Sequence, residues 1–145
     1  MKSLFKKISL SSDHAGFNLK RFIKIYLNKK KIKHFDLGPK LNCKVDYPDY
    51  AHKVAKKVKS SKSNIGILIC GSGTGMNIAA NKHKNIRAAQ CFNLKSTKLS
   101  RLHNDANIIT LGSRVLSKKN ALNYVGVFLN TKFEGGRHSK RIRKI

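Results

Sequence analysis

Residues 65 to 75 read Ile-Gly-Ile-Leu-Ile-Cys-Gly-Ser-Gly-Thr-Gly, and this stretch constrains the fold more than any other. The near-continuous apolar run from Ile65 to Cys70 is what a strand buried on both faces requires. Three alternating glycines follow, Gly71, Gly73 and Gly75, and Met76 to Asn81 then looks helical. Strand, bare backbone loop and helix in that order suit an α/β sheet. Glycines let backbone N–H groups approach a ligand closely, because no Cβ stands in the way. A loop of such donors at a helix N-terminus is a ready anion site. The Cys70 thiol beside it points to acid–base chemistry on a species that becomes negatively charged. The alternative for Cys70 alone is a buried, inert thiol in a tight turn. The loop is not a P-loop, since no Gly-Lys pair follows, and it is not the dinucleotide fingerprint, since position 76 is Met76.

The same alternation runs along the chain. Ile8 to Ser12 reads as a strand that stops at Asp13-His14-Ala15-Gly16, and Phe17 to Leu27 has near-helical apolar spacing. Ile32 to Leu37 reads as a strand ended by Gly38-Pro39. Asp46-Tyr47-Pro48 opens a helix over 49–59 with Ala51, Val54, Ala55 and Val58 on one face. A short helix over 74–81 and a fourth strand over 86–91 come next. Asn93 caps a helix running to about His103, and a fifth strand over 107–111 closes at Gly112. Ser117 is an N-cap for a last helix that buries Ala121, Leu122, Val125, Phe128 and Leu129. The pattern predicts one α/β domain over 1–145 with a parallel, doubly wound sheet and no linkers or repeats. The tail over 135–145 is too basic and too short to pack alone, and is expected to lie on a partner or reach a ligand.

Ligands of such sheets bind beyond the carboxyl ends of the strands. That rule gathers Asp13 and His14 from strand one, Cys70 and its loop from strand three, and Arg114 from the end of strand five. Each has a plainer alternative. Asp13 could cap the following helix, and His103-Asn104-Asp105 could be an ordinary turn. Arg137, His138 and Arg141 could belong to the general basic excess, but the spacing of four between Arg137 and Arg141 puts those two on one face of a helix. Arginine is the side chain suited to forked phosphate binding.

Composition narrows the classes. At 145 residues the chain can bury a proper core. No stretch is apolar enough to span a membrane, and Met1 to Leu10 lacks the features of a signal peptide. Cys43, Cys70 and Cys91 are odd in number and contain no Cys-x-x-Cys pair, so neither a disulfide framework nor a zinc site is suggested and a reducing cytoplasm fits. The net charge of +26 raises nucleic acid or anionic membrane as partners. Against specific nucleic-acid binding, lysines greatly outnumber arginines, are spread along the chain and have no interleaved aromatic platform.

Taken together, the motifs resemble the type B ribose-5-phosphate isomerases and the related galactose 6-phosphate isomerases. The matching segments are Ser-Asp-His-Ala-Gly-Phe (12–17), Asp-Tyr-Pro (46–48), the strand and glycine loop (66–75), Ile-Ala-Ala-Asn-Lys (78–82) and Ile-Arg-Ala-Ala (86–89). Leu-Ser-Arg-Leu-His-Asn-Asp-Ala-Asn (99–107), Leu-Gly-Ser-Arg (111–114) and Phe-Glu-Gly-Gly-Arg-His (133–138) complete the set. The resemblance implies a Rossmann-like three-layer αβα sandwich with a five-stranded parallel sheet and a C-terminal tail packing on a dimer partner. It implies a homodimer with shared active sites, sometimes paired into tetramers, and interconversion of ribose 5-phosphate and ribulose 5-phosphate with no cofactor and no metal. By the same resemblance Cys70 is the base that moves a proton between C2 and C1. The donors of Gly71, Ser72, Gly73, Thr74 and Gly75 hold the enediolate, and Ser72 assists Cys70 or binds a hydroxyl. His103, helped by Asp13, opens the sugar ring. His14, Arg137 and Arg141 clamp the phosphate with Arg114 contributing, while Tyr47 and Asn104 position substrate. The same chemistry on allose or galactose 6-phosphate is the nearest alternative. A basic nucleic-acid-binding protein on an isomerase fold is the alternative of another class.

Overall fold

The computed structural model describes residues 4–5, 7–62 and 64–145. Eleven elements follow in order: β1 (Lys7–Ser12), α1 (Phe17–Lys29), β2 (His34–Asp36), α2 (Tyr47–Lys59), β3 (Asn64–Cys70) and α3 (Thr74–Ala80), then β4 (Ala88–Gln90), α4 (Leu94–Asn104), β5 (Ile108–Gly112), α5 (Lys118–Asn130) and α6 (Arg137–Ile142). The five strands form one parallel sheet in the order β2-β1-β3-β5-β4. Among the described residues no helix is long and apolar enough to cross a membrane.

The sheet carries a core on each face. Ile65, Ile67 and Ile69 of β3 pack with Leu19, Ile23 and Leu27 of α1 and with Val125, Phe128 and Leu129 of α5. Leu68 and Cys70 point the other way, into Val54, Ala55 and Val58 of α2 and Met76 and Ala80 of α3. That is the period-two alternation of a strand, here apolar on both sides because both faces are covered. It also sets the direction of the Cys70 side chain, toward the α2/α3 layer.

Helix α2 sits very close to the sheet. A Cβ on Gly66 would lie 2.7 Å from Val54 Cγ1 and 2.8 Å from Ile108 Cγ1. Overpacking of this kind costs about 1–3 kcal/mol. Gly66→Ala is therefore expected to lower the unfolding free energy by that amount, read as a lower urea midpoint with an unchanged m-value; an unchanged midpoint would mean the layer can shift freely. On β1, Ser11 pairs with Leu68, and its hydroxyl donates to the Tyr50 carbonyl at 2.9 Å and ties α2 to the sheet.

Two strands are shorter than the expected 32–37 and 86–91, and both are sheet edges. Their flanks leave the ladder for local bonds: Ile32 N–H donates to Leu27 O, Ile86 N–H to His83 O, and Arg87 N–H to Asn107 Oδ1. The caps at Asn93 and Ser117 form as expected, each side chain accepting from the backbone N–H three residues on. The tail differs from expectation. Rather than failing to pack alone, it forms α6 against α4 of its own chain, with Glu134 N–H donating to Leu102 O and His138 buried.

Candidate active site

Three strand ends lie level. The pairs Ser12↔Ile69 and Cys70↔Gly112 put the carboxyl ends of β1, β3 and β5 side by side. The turns beyond them are laced together. Asp13 N–H donates to Ile69 O at 3.1 Å, Ser113 N–H to Cys70 O at 2.8 Å, and Arg114 N–H to Gly71 O at 2.9 Å. The Ser113 hydroxyl reaches across to Ala15 O at 2.8 Å.

Cys70 forms the floor, with 4% of its surface exposed. The Gly73 N–H donates to its sulfur at 3.1 Å. Gly73 holds φ at +82°, where a Cβ is strained, and this conformation turns its N–H back onto the strand end. Ser72 does not touch Cys70 by hydrogen bond: its hydroxyl accepts from Thr74 N–H at 3.2 Å, and its carbonyl accepts from Gln90 Nε2 at 3.0 Å. Of the loop's donors, Gly73 is thus engaged with sulfur and Thr74 with Ser72. The sides of the cleft are Tyr47, whose ring lies over Gly75, and Arg114, whose guanidinium lies over Gly71.

Asp13 accepts from Gly16 N–H at 2.9 Å, so its carboxylate closes the turn into α1 just ahead of the helix. His14 Nδ1 accepts from Val45 N–H at 3.4 Å, which leaves the proton of its neutral ring on Nε2. The segment carrying Val45 is anchored at its start by a buried charge. Lys20 is 1% exposed and donates to Asp36 Oδ1 at 2.9 Å and to Pro39 O at 2.6 Å. Burial pushes the Lys20 ammonium below its ordinary range, with Asp36 opposing. Burial acts to raise the Asp36 carboxyl, but hydrogen bonds from Lys24, Gly38 and Lys20 outweigh it and hold the group low.

The remaining expected residues lie elsewhere in the chain. Helix α4 returns from the end of β4 to the start of β5, so His103 and Asn104 sit at the amino edge of the sheet. Asn104 O accepts there from Arg87 Nε at 2.9 Å, just ahead of β4. Arg137 and Arg141 lie on α6, which packs on α4. Strand β3 has seven residues, about 20 Å of extended chain, and separates this group from Cys70. One chain therefore carries two half-sets. Asp13, His14, Tyr47, residues 70–75 and Arg114 gather at the carboxyl edge; His103, Asn104, Arg137 and Arg141 belong to the opposite edge.

The second half-set includes two residues given no site role from the sequence, Glu134 and His138. The His103 and His138 rings stack with centroids 4.3 Å apart, and Glu134 Oε2 lies 3.7 Å from His103 Nε2 and 3.9 Å from His138 Nε2. Burial, then the neighbouring His103, pushes His138 below the ordinary imidazole range, with Glu134 pulling the other way. The signal was present in the four-residue spacing of Glu134 and His138, but their meeting with His103 depends on α6 folding back. Gln90, which ties the glycine loop to β4, carried no such signal.

The profile of the ribose/galactose isomerase family matches residues 8–145. The chain belongs to that family. Among its curated relatives is ribose-5-phosphate isomerase B of Escherichia coli (strain K12), 43% identical over 140 residues, which cover 97% of this chain and 94% of the relative. The solved ribose 5-phosphate isomerase B of Anaplasma phagocytophilum matches with a TM-score of 0.92 at 47% identity and covers 99% of both chains. The Mycoplasma genitalium enzyme, solved with bound ribulose-5-phosphate, matches with a TM-score of 0.92 at 44% identity, covering 95% of this chain and 92% of that one. The α/β architecture of this family member, with its five-stranded parallel sheet, is thus that of the solved ribose 5-phosphate isomerases B.

Proposed function

We propose that this member of the ribose/galactose isomerase family interconverts D-ribose 5-phosphate and D-ribulose 5-phosphate, using Cys70 as the base. The observation that carries the reading is a sulfur at the end of a buried strand, held by the Gly73 N–H beside a loop of backbone donors. The thiolate removes the proton from C2 of the open aldose, and the electron pair moves to O1 as an enediolate. The proton returns to C1, and the hydroxyl proton on O2 passes to O1. Atoms and charge balance with no co-reactant. The N–H groups of the loop over 71–75 other than those of Gly73 and Thr74, which already have partners, stabilise the developing oxyanion, which in such sites is worth several kcal/mol.

The second half-set supplies what Cys70 does not. His103 protonates the ring oxygen of the closed sugar, with Asp13 assisting at the other half-set. His14 Nε2–H, Arg137 and Arg141 hold the phosphate, and Tyr47, Asn104 and Arg114 fix the sugar. Because the half-sets lie at opposite edges of one sheet, the complete site forms between two copies of the chain, each giving one half.

Parallel assays on ribose 5-phosphate, allose 6-phosphate and galactose 6-phosphate test the substrate. The expected result is the highest kcat/KM on the pentose. Negligible pentose turnover with rapid turnover of either hexose would move the assignment to that hexose.

A further inference from the structure

We propose that His103, Glu134 and His138 form a binding site for a divalent transition ion of the zinc class, with two imidazole nitrogens and one carboxylate oxygen as ligands and one position open to solvent.

The three ligand atoms lie within 4.8 Å of one another. Glu134 Oε2 stands 3.7 Å from one Nε2 and 3.9 Å from the other, too far for a hydrogen bond to either. Ligands about 2.0–2.1 Å from a tetrahedral zinc ion are about 3.4 Å apart, so the set closes with shifts of a few tenths of an ångström at these two edges. The rings stack 12° from parallel, so their in-plane lone pairs do not converge, and closing the set also requires each ring to swing out of the stack toward the common ion.

An independent observation points to a ligand. His138 is 5% exposed, and its Nε2 is buried with no hydrogen-bond partner. A buried imidazole nitrogen without a partner is costly, and an ion would satisfy it. In the single chain Glu134 is 55% exposed and His103 37%, so an ion can reach both ligands. Two imidazoles and a carboxylate suit zinc better than magnesium or calcium, which prefer all-oxygen shells. Cysteine spacing predicts no zinc site here; this one uses other ligand types, drawn from α4, the α5–α6 connection and α6.

The site is defined by its ligands alone, but its consequence rests on the proposed role of His103. An ion on His103 Nε2 takes the lone pair through which that ring exchanges a proton. Zinc is then an inhibitor of ring opening.

The probe is Co2+, titrated into the tag-free, chelator-treated full chain. The expected result is one ion per chain with the visible d–d band of four- or five-coordinate cobalt, no thiolate-to-cobalt charge transfer from the free cysteines, and bleaching by Zn2+. Glu134→Gln and His138→Ala should each weaken binding at least about tenfold. His52→Ala, which breaks the separate His52–His83 contact of 2.7 Å, should leave it unchanged. Glu134 is exposed, so Glu134→Gln carries the test even if His138→Ala unfolds. No band at millimolar Co2+, or equal binding by Glu134→Gln, overturns the site and leaves the isomerase assignment standing. Cobalt bound as expected, with turnover of closed-ring ribose 5-phosphate unaffected, upholds the site and removes His103 from ring opening.

Discussion

Cys70→Ala is expected to lower kcat on ribose 5-phosphate by at least about 10³-fold, within the range that a positioned general base supplies. Binding of ribulose 5-phosphate, followed by calorimetry, should change little. The phosphate is assigned to His14, Arg137 and Arg141, and none of them touches the sulfur by hydrogen bond. The substitution also has a structural effect that must be separated from the chemical one. Alanine leaves the Gly73 N–H without its acceptor, a loss of about 1–3 kcal/mol for a buried donor. Cys70→Ser makes the separation. Its hydroxyl still accepts from Gly73, so stability should be largely restored, but a serine does not ionise as readily as a thiol and activity should stay lost. Activity retained in either variant would mean that another group is the base.

The half of the site that could be read from the chain is the half built locally. Cys70 and its loop are one strand-to-helix turn, and Asp13 and His14 end a strand whose apolar run is visible in the sequence. The rule that ligands gather beyond the carboxyl ends then placed them together, and the register of β1, β3 and β5 does the same. Asn93 and Ser117 were legible for a similar reason, since a cap bonds a donor three residues away.

What the chain did not disclose depends on contacts between distant segments. The edge strands β2 and β4 look as long as central strands in the sequence, because apolar content does not report where the ladder is abandoned for local bonds. Lys20 looks like one more lysine among many. Its burial depends on Asp36 and the Pro39 carbonyl meeting its ammonium on the far side of α1. The tail reads as a charged extension, yet one residue in it, His138, is buried against α4 and holds α6 in place. High charge hid these features because lysine is informative only where its surroundings are known.

The division of the site between two sheet edges gives the second large effect. Cys70→Ala and His103→Asn are each expected to be nearly inactive on closed-ring ribose 5-phosphate. If every site takes Cys70 from one copy and His103 from another, a mixed dimer contains one site with both residues intact and one site with neither. Random reassortment of equal amounts makes about half of the dimers mixed, so about one quarter of the native turnover should return. The experiment mixes the two purified variants, exchanges subunits through mild denaturant, and follows exchange by native mass spectrometry alongside activity. Recovery must rise with the fraction of mixed dimer and stop near one quarter. Recovery of none, with exchange demonstrated, would place both residues of each site on the same chain. That outcome would require the amino-edge group to reach past β3 to Cys70, against the antiparallel course of α4 on which the two-chain site rests.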